Sequence, residues 1–208
     1  MERDGELLRV RSGAVLLPKA ASQVENTEIE RSSEKRSIAL AVAKTVQDGS
    51  TVFINTGTTM QFVASALKMH RNLNVVTNSI AIATDLGSVS GFNVVLLGGK
   101  VYAKHNLTYG TDAEAQLVRY HADVAILSID GICAESGVAT CCVEESSIDR
   151  MMLERAAHGI IAADHSKVGR AGFTNIQQSV AGLTLVTDSK CDSDALKRLE
   201  ACGVTILT

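Results

Sequence analysis

The feature that most constrains this chain is a rhythm. Short apolar, β-branched runs alternate with stretches whose apolar positions recur three and four residues apart. The runs are Thr51–Asn55, Leu73–Thr77, Phe92–Leu97, Asp123–Ile129, Gly159–Ala163, Leu183–Thr187 and Val204–Leu207. Spacing of three and four is the signature of a helix with one buried face, whereas an unbroken apolar run is that of a strand covered on both faces. Strict alternation of the two predicts an α/β fold, with a mostly parallel sheet flanked by helices.

The helices follow from the same spacing. Ser33 reads as an N-cap for a helix carrying Ile38, Ala41, Val42, Thr45 and Val46, stopped by Asp48-Gly49. Phe62, Val63, Ala66 and Leu67 share one face of the next, and a short helix starts at Ser79. Further helices are predicted over Thr111–Tyr120, Ser146–Ala157 and Ser193–Ala201, with no regular element between Leu97 and Thr111. Ahead of them, Asp4-Gly5 marks a turn before one strand-like apolar run that ends at Leu17. Residues 18–32 are polar, open on Pro18 and read as a linker, which leaves 33–208 as the folded domain.

Composition narrows the function. Aromatics are 3% of the 208 residues, with no Trp and one Pro, so the core must be aliphatic. Recognition by stacking, as in single-strand nucleic-acid platforms, is excluded by the same scarcity. A net charge of −3 argues against a stand-alone nucleic-acid binder, and the basic cluster Arg31–Arg36 holds Glu34 and reads as a solvated helix start. No apolar stretch follows Met1 and no run is long enough to span a bilayer, so a cytoplasmic, membrane-free protein is expected. Cys133, Cys141, Cys142, Cys191 and Cys202 are odd in number and fit no zinc spacing. They read as free thiols, Cys141-Cys142 as a packed pair. The histidines are scattered singly, so neither a metal site nor a cofactor is expected.

The chemistry collects where the runs end. Asn55-Thr56-Gly57-Thr58-Thr59, Thr77-Asn78-Ser79, Gly98-Gly99-Lys100, Asp130-Gly131, Asp164-His165-Ser166-Lys167 and Thr187-Asp188 each follow an apolar run. Any one is ordinary turn and cap chemistry. Together they belong on one face, because ligands of parallel sheets bind outside the carboxyl ends of the strands. Thr56–Thr59 leads into a helix, whose free amides and partial positive charge would cradle a phosphate or carboxylate. Lys100 and Lys167 would complete the charge match, and Asn78, Asp130 and Glu144 supply donors and acceptors for a polyol. A phosphorylated sugar or polyol fits best. A dinucleotide fits less well, since no G-x-G-x-x-G is present, and Gly99-Lys100 lacks the glycine and hydroxyl residue of a P-loop. Glu145 reads as a solvent-facing neighbour of Glu144.

In order, Asn55–Thr59, Val76–Ser79, Leu96–Gly99, Ser128–Ile132, Glu144-Glu145, Ala163–Arg170 and Thr187-Asp188 resemble the effector-binding domain of DeoR/GlpR-type bacterial transcriptional repressors, over about residues 33–188. Leu8–Ala14 is similar to the end of that family's winged helix-turn-helix, so residues 1–17 read as a remnant of its wing, with the DNA-binding part absent from this chain. The resemblance implies a fold shared with ribose-5-phosphate isomerase, glucosamine-6-phosphate isomerase and CoA-transferase domains. It implies a sugar-phosphate or polyol-phosphate effector, a homodimer or homotetramer, and control of a carbohydrate-catabolism operon, without catalysis. Where the family has Asp, this chain has Asn55; where it has Lys, Asp149; where it has an aromatic, Val168; where it has Gly, Ser12. The first two point to an unusual ligand or a degenerate site. The alternative is a free-standing sugar-phosphate isomerase using Asp130, Glu144 and Lys167.

Overall fold

A computed structural model of the chain describes residues 31–208, together with the backbone of residues 7–10 and 13–16. The expected turn at Asp4-Gly5, the linker up to residue 30, and Ser12 lie outside the described residues. Residues 1–32 and 33–208 form two separate units. In the first, β1 (Leu7–Val10) and β2 (Gly13–Leu16) pair antiparallel, Leu7 opposite Leu16. The single expected strand is thus two.

The second unit is built on a seven-stranded parallel sheet. Its strands are β3 (Thr51–Ile54), β4 (Asn74–Thr77), β5 (Asn93–Leu96), β8 (Ala122–Leu127), β11 (Ala156–Ala162), β13 (Thr184–Val186) and β14 (Thr205–Leu207). They lie in the order β14-β13-β11-β8-β3-β4-β5. Alternate side chains point to opposite faces. Val52, Ile54, Val124 and Ile126 pack with α1 (Ser32–Ala43), α2 (Thr58–Leu67) and α3 (Ile80–Gly87) through Ile38, Val63, Leu67 and Ile82. Phe53, Ala125, Leu127 and Ile161 pack on the other face with α4 (Thr111–Leu117), α5 (Val143–Glu154) and α6 (Ser193–Ala201) through Leu117, Ile148, Met152 and Leu199. The core is aliphatic, and Phe53 is its one fully buried aromatic among the described residues.

Small elements fill the gaps. β6 (Lys100–Tyr102) and β7 (Leu107–Tyr109) form a hairpin where no element was expected, and β9 (Gly131–Cys133), β10 (Gly137–Thr140) and β12 (Thr174–Gln177) form a second, antiparallel sheet. Strands of three or four residues are too short to show a period.

Several helix boundaries differ from expectation. Ser33 is not a cap: α1 starts at Ser32, and the Ser33 hydroxyl donates to Glu34 Oε2 at 2.8 Å. The helix ends at Ala43, with Thr45 and Val46 in the following turn. α4 stops at Leu117 rather than Tyr120. α5 begins and ends three residues earlier than expected; its end moves because Ala156 and Ala157 join β11, with Ala156 opposite Ala122 of β8. Alanine is the best helix former, but intrinsic propensity is a weak preference, and a ladder position overrides it.

Phe53 sits in β3, one of the two central strands of this layered core. Phe53→Ala should cost about 3–5 kcal/mol, read as a lower urea midpoint with an unchanged slope. A loss under about 1 kcal/mol would mean that the two faces do not pack as described.

Candidate functional site

The strand order reverses between β3 and β8. From β3 the chain builds outward through β4 and β5, then returns to place β8 on the other side and continues through β11, β13 and β14. Neighbouring crossover helices then lie on opposite faces, and a crevice opens at the carboxyl ends of the two central strands. Asn55, just past β3, is fully buried in this crevice. Its Oδ1 accepts from Ser128 N at 2.9 Å, and its Nδ2 donates to Ser128 O at 3.0 Å and to Asp149 Oδ1 at 3.1 Å.

Gly57 turns the chain from β3 into α2 with φ +129°, and a Cβ there would meet Ser128 Oγ at 3.0 Å. No side chain caps α2, so its first amides keep their partial positive charge toward the crevice. Thr58 is half-buried and Thr59 buried. The Thr56 hydroxyl donates to the carbonyl of His105, in the turn between β6 and β7, at 3.3 Å.

Beyond β8, Asp130 Oδ1 accepts from Lys167 Nζ at 2.9 Å, and its Oδ2 accepts from Cys141 N at 2.8 Å. Burial works against its ionisation, but the amide and the ammonium prevail and hold Asp130 below the usual carboxylate range. Lys167 is on a 3-10 turn, His165–Lys167, past β11. Past β13, Asp188 receives His165 N at 2.8 Å, and His165 Nδ1 lies 3.1 Å from the same carboxylate. These bonds outweigh burial and lower its pKa.

The start of α5 gathers acids. Glu145 is buried, with Oε1 3.2 Å from His105 Nδ1. Burial raises its pKa against the pull of His105. Cys142 precedes the helix, and its thiol donates to Glu144 Oε2 at 3.4 Å. Burial, with Glu145 nearby, pushes that thiol up to about 12. Asp149 is fully buried, its Oδ2 has no partner, and burial together with Glu145 drives its carboxyl well above the ordinary range despite the Asn55 bond.

The model of the DeoR C-terminal sensor domain matches residues 30–189. The chain belongs to that family. The putative aga operon transcriptional repressor of Escherichia coli O157:H7 is 28% identical to this sensor domain over all of the chain and 78% of its own length. The glycerol-3-phosphate regulon repressor of Escherichia coli (strain K12) is 31% identical over 82% of this chain and 68% of its own. Among solved structures, the probable sor operon regulator of Shigella flexneri superposes with a TM-score of 0.50 at 11% identity, over 85% of this chain and 90% of that one. That likeness concerns the fold alone.

In this sensor domain the expected residues divide by role. Asn55 is tied to Ser128 and Asp149, Thr56 to His105, Asp130 to Lys167 and Cys141, and Glu144 to Cys142. Thr77 and Ser79 do local work: Thr77 Oγ1 accepts from Ser79 N at 3.0 Å, and Ser79 caps α3. Asn78 donates to Thr108 O at 3.3 Å and leaves a buried, unpartnered Oδ1. Three glycines answer to packing. A Cβ on Gly98 would crowd Gln116 Nε2 at 3.1 Å, one on Gly99 would strike Tyr109 O at 2.6 Å, and one on Gly131 would strike Arg170 O at 2.5 Å. Lys100 is exposed at the start of β6. Two readings are corrected. Glu145 is buried rather than solvent-facing, because the β6–β7 turn covers it with His105. Cys141 and Cys142 are not a packed pair, since Cys141 is exposed and Cys142 buried. His105, Cys142 and Asp149 were not among the expected site residues, and chain spacing offered no signal for the first two. Asp149 was visible as a departure from the family, and it is hydrogen-bonded to another of those departures, Asn55.

A carboxyl whose pKa is raised on folding binds its proton more tightly in the native state. Stability then falls as pH rises from the unfolded value near 4 through the folded one. Asp149→Asn keeps an acceptor for Asn55 and removes this loss. It should therefore raise the melting temperature at pH 7.5 and leave it nearly unchanged at pH 4. An equal or lower melting temperature at pH 7.5 would mean that the carboxylate is stabilised where it stands.

Proposed function

We propose that this domain senses a phosphorylated sugar or polyol at the central crevice, and that binding there controls the DNA affinity of the intact repressor. The observation that carries the reading is the uncapped amino terminus of α2 opening on the strand-order reversal. Free helix amides and an approach made possible by Gly57 favour an anionic oxygen cluster. Thr58 offers a hydroxyl, Lys167 an ammonium, and Asp130, Glu144 and Asn78 acceptors for sugar hydroxyls. Thr56, Thr59, Thr77 and Ser79 support the walls, and Gly98, Gly99, Lys100 and Gly131 frame the same strand-end face. The name of the glycerol-3-phosphate regulon repressor fits a phosphorylated ligand, and both relatives being repressors favours a regulator over an enzyme.

In this reading the intact protein is a cytoplasmic homodimer or homotetramer that acts on a carbohydrate-catabolism operon and contacts DNA through a winged helix-turn-helix, as the family implies. No helix among the described residues is long and apolar enough to cross a membrane. The effector must bind one of the two repressor states more tightly, or it would shift nothing.

The test is a melting-temperature panel of sugar phosphates and their unphosphorylated parents, since a ligand of the native state raises apparent stability by mass action. Phosphorylated compounds should give the shift and the parents none. Lys167→Ala should weaken the active compound about tenfold or more, the scale of one charge-assisted hydrogen bond. Equal shifts from phosphates and parents would overturn the phosphate cradle. Ketose appearing from ribose-5-phosphate or glucosamine-6-phosphate would favour the isomerase alternative.

A further inference from the structure

We propose that His105, Cys142 and Glu145 form a binding site for a divalent transition-metal ion, with Zn²⁺ the best match. His105 Nδ1, Cys142 Sγ and a Glu145 carboxylate oxygen all lie within 4.8 Å of one another. Tetrahedral zinc, with bonds of about 2.0–2.3 Å, holds its ligand atoms about 3.3–3.8 Å apart. His105 Nδ1 and Glu145 Oε1 already stand at 3.2 Å. Only the thiol has to close in, by no more than about 1.3 Å on that geometry.

Each ligand is carried by an element that fixes it. Glu145 is in the first turn of α5, and Cys142 is the residue immediately before that helix. Its side chain makes no capping bond, so the sulfur is available to the cluster. His105 is held in the β6–β7 turn, where its carbonyl accepts from Thr56 and its ring lies 5.2 Å from that of Tyr102. Cys142 and Glu145 are buried and His105 half-buried, so an ion entering from solvent would be largely enclosed.

The donor set selects the metal. One imidazole nitrogen, one thiolate and one carboxylate suit Zn²⁺ or Co²⁺, whereas Mg²⁺ and Ca²⁺ prefer oxygen throughout. Thiolate and carboxylate together carry two negative charges, which the ion neutralises. The thiol proton, which now bridges to Glu144 Oε2, is released to solvent when sulfur binds the metal. Glu144 is then free to serve as a fourth ligand, or the position stays open. The proposal does not depend on the sugar-phosphate reading.

The test titrates Co²⁺ into the chelator-treated 208-residue chain without any effector. A near-ultraviolet sulfur-to-cobalt band should appear and vanish on adding Zn²⁺. Zn²⁺ should raise the melting temperature where Mg²⁺ does not. Cys142→Ser should abolish the band and, with His105→Gln as a second variant, weaken Zn²⁺ at least tenfold with the circular dichroism of the parent retained. Cys141→Ser should leave both readouts unchanged. Absence of the band, its survival in Cys142→Ser, or its loss in Cys141→Ser would overturn the site.

Discussion

The candidate site depends on what holds two parallel strands together past the point where they stop pairing. β3 and β8 share ladder bonds as far as Asn55 N to Ile126 O, at 3.4 Å. Beyond that the backbones must part if a crevice is to open, and the freed amide and carbonyl of Ser128 need partners. The Asn55 carboxamide supplies both: its oxygen accepts from Ser128 N and its nitrogen donates to Ser128 O. A side chain thus stands in for one more ladder residue. Carboxylate at this position would accept but not donate, leaving Ser128 O and Asp149 facing a negative charge. Asn55 and Asp149 are therefore compatible with each other, whereas a carboxylate at position 55 would face a second buried carboxyl. The two departures constitute one local solution.

That joint also crosses the sheet. α2 packs on the face that holds Val52 and Ile54, and α5 on the face that holds Phe53 and Leu127. Asn55 leads into one and hydrogen-bonds the other through Asp149. The cost is concentrated in Asp149, a fully buried carboxyl with one unpartnered oxygen. Buried polar atoms lacking a partner destabilise a fold and are uncommon away from functional positions. Asn78 Oδ1, past the neighbouring strand β4, is the other such atom among the described side chains. Asn78 directly follows β4, and Asp149 reaches the end of β3 through its bond from Asn55.

The layered α/β architecture was legible because burial on both faces leaves strands uniformly apolar, and because helices write their own period. The strand-end face was legible because every parallel strand of the sheet ends on the same side. The β6–β7 hairpin was not: Lys100–Tyr102 and Leu107–Tyr109 are too short to alternate visibly, yet their turn delivers His105 to Glu145 across forty residues of chain. Glycine was read too generously. Gly98, Gly99 and Gly131 occur at strand ends as expected, but each is small because protein atoms approach it. Gly57 alone among the four also opens an uncapped helix.

The charges around the crevice are arranged by sign, and this bears on how a ligand would be felt. Asp130 is matched by Lys167, which favours its ionised form, while Glu145 in the first turn of α5 and Asp149 one turn further on are buried, where their charged forms are disfavoured. An anion seated on the α2 amides would draw Lys167 toward itself and loosen its hold on Asp130. Asp130 in turn anchors Cys141 N, next to Cys142, the residue that precedes α5. On the proposed reading, a path from crevice to α5 would run through one ion pair and one backbone hydrogen bond, both polar and both able to exchange partners without disturbing the apolar layers. A sensor needs such a connection. The aliphatic core, close-packed on both faces, resists small displacements, so a change of state is most easily written in the polar contacts at the strand ends.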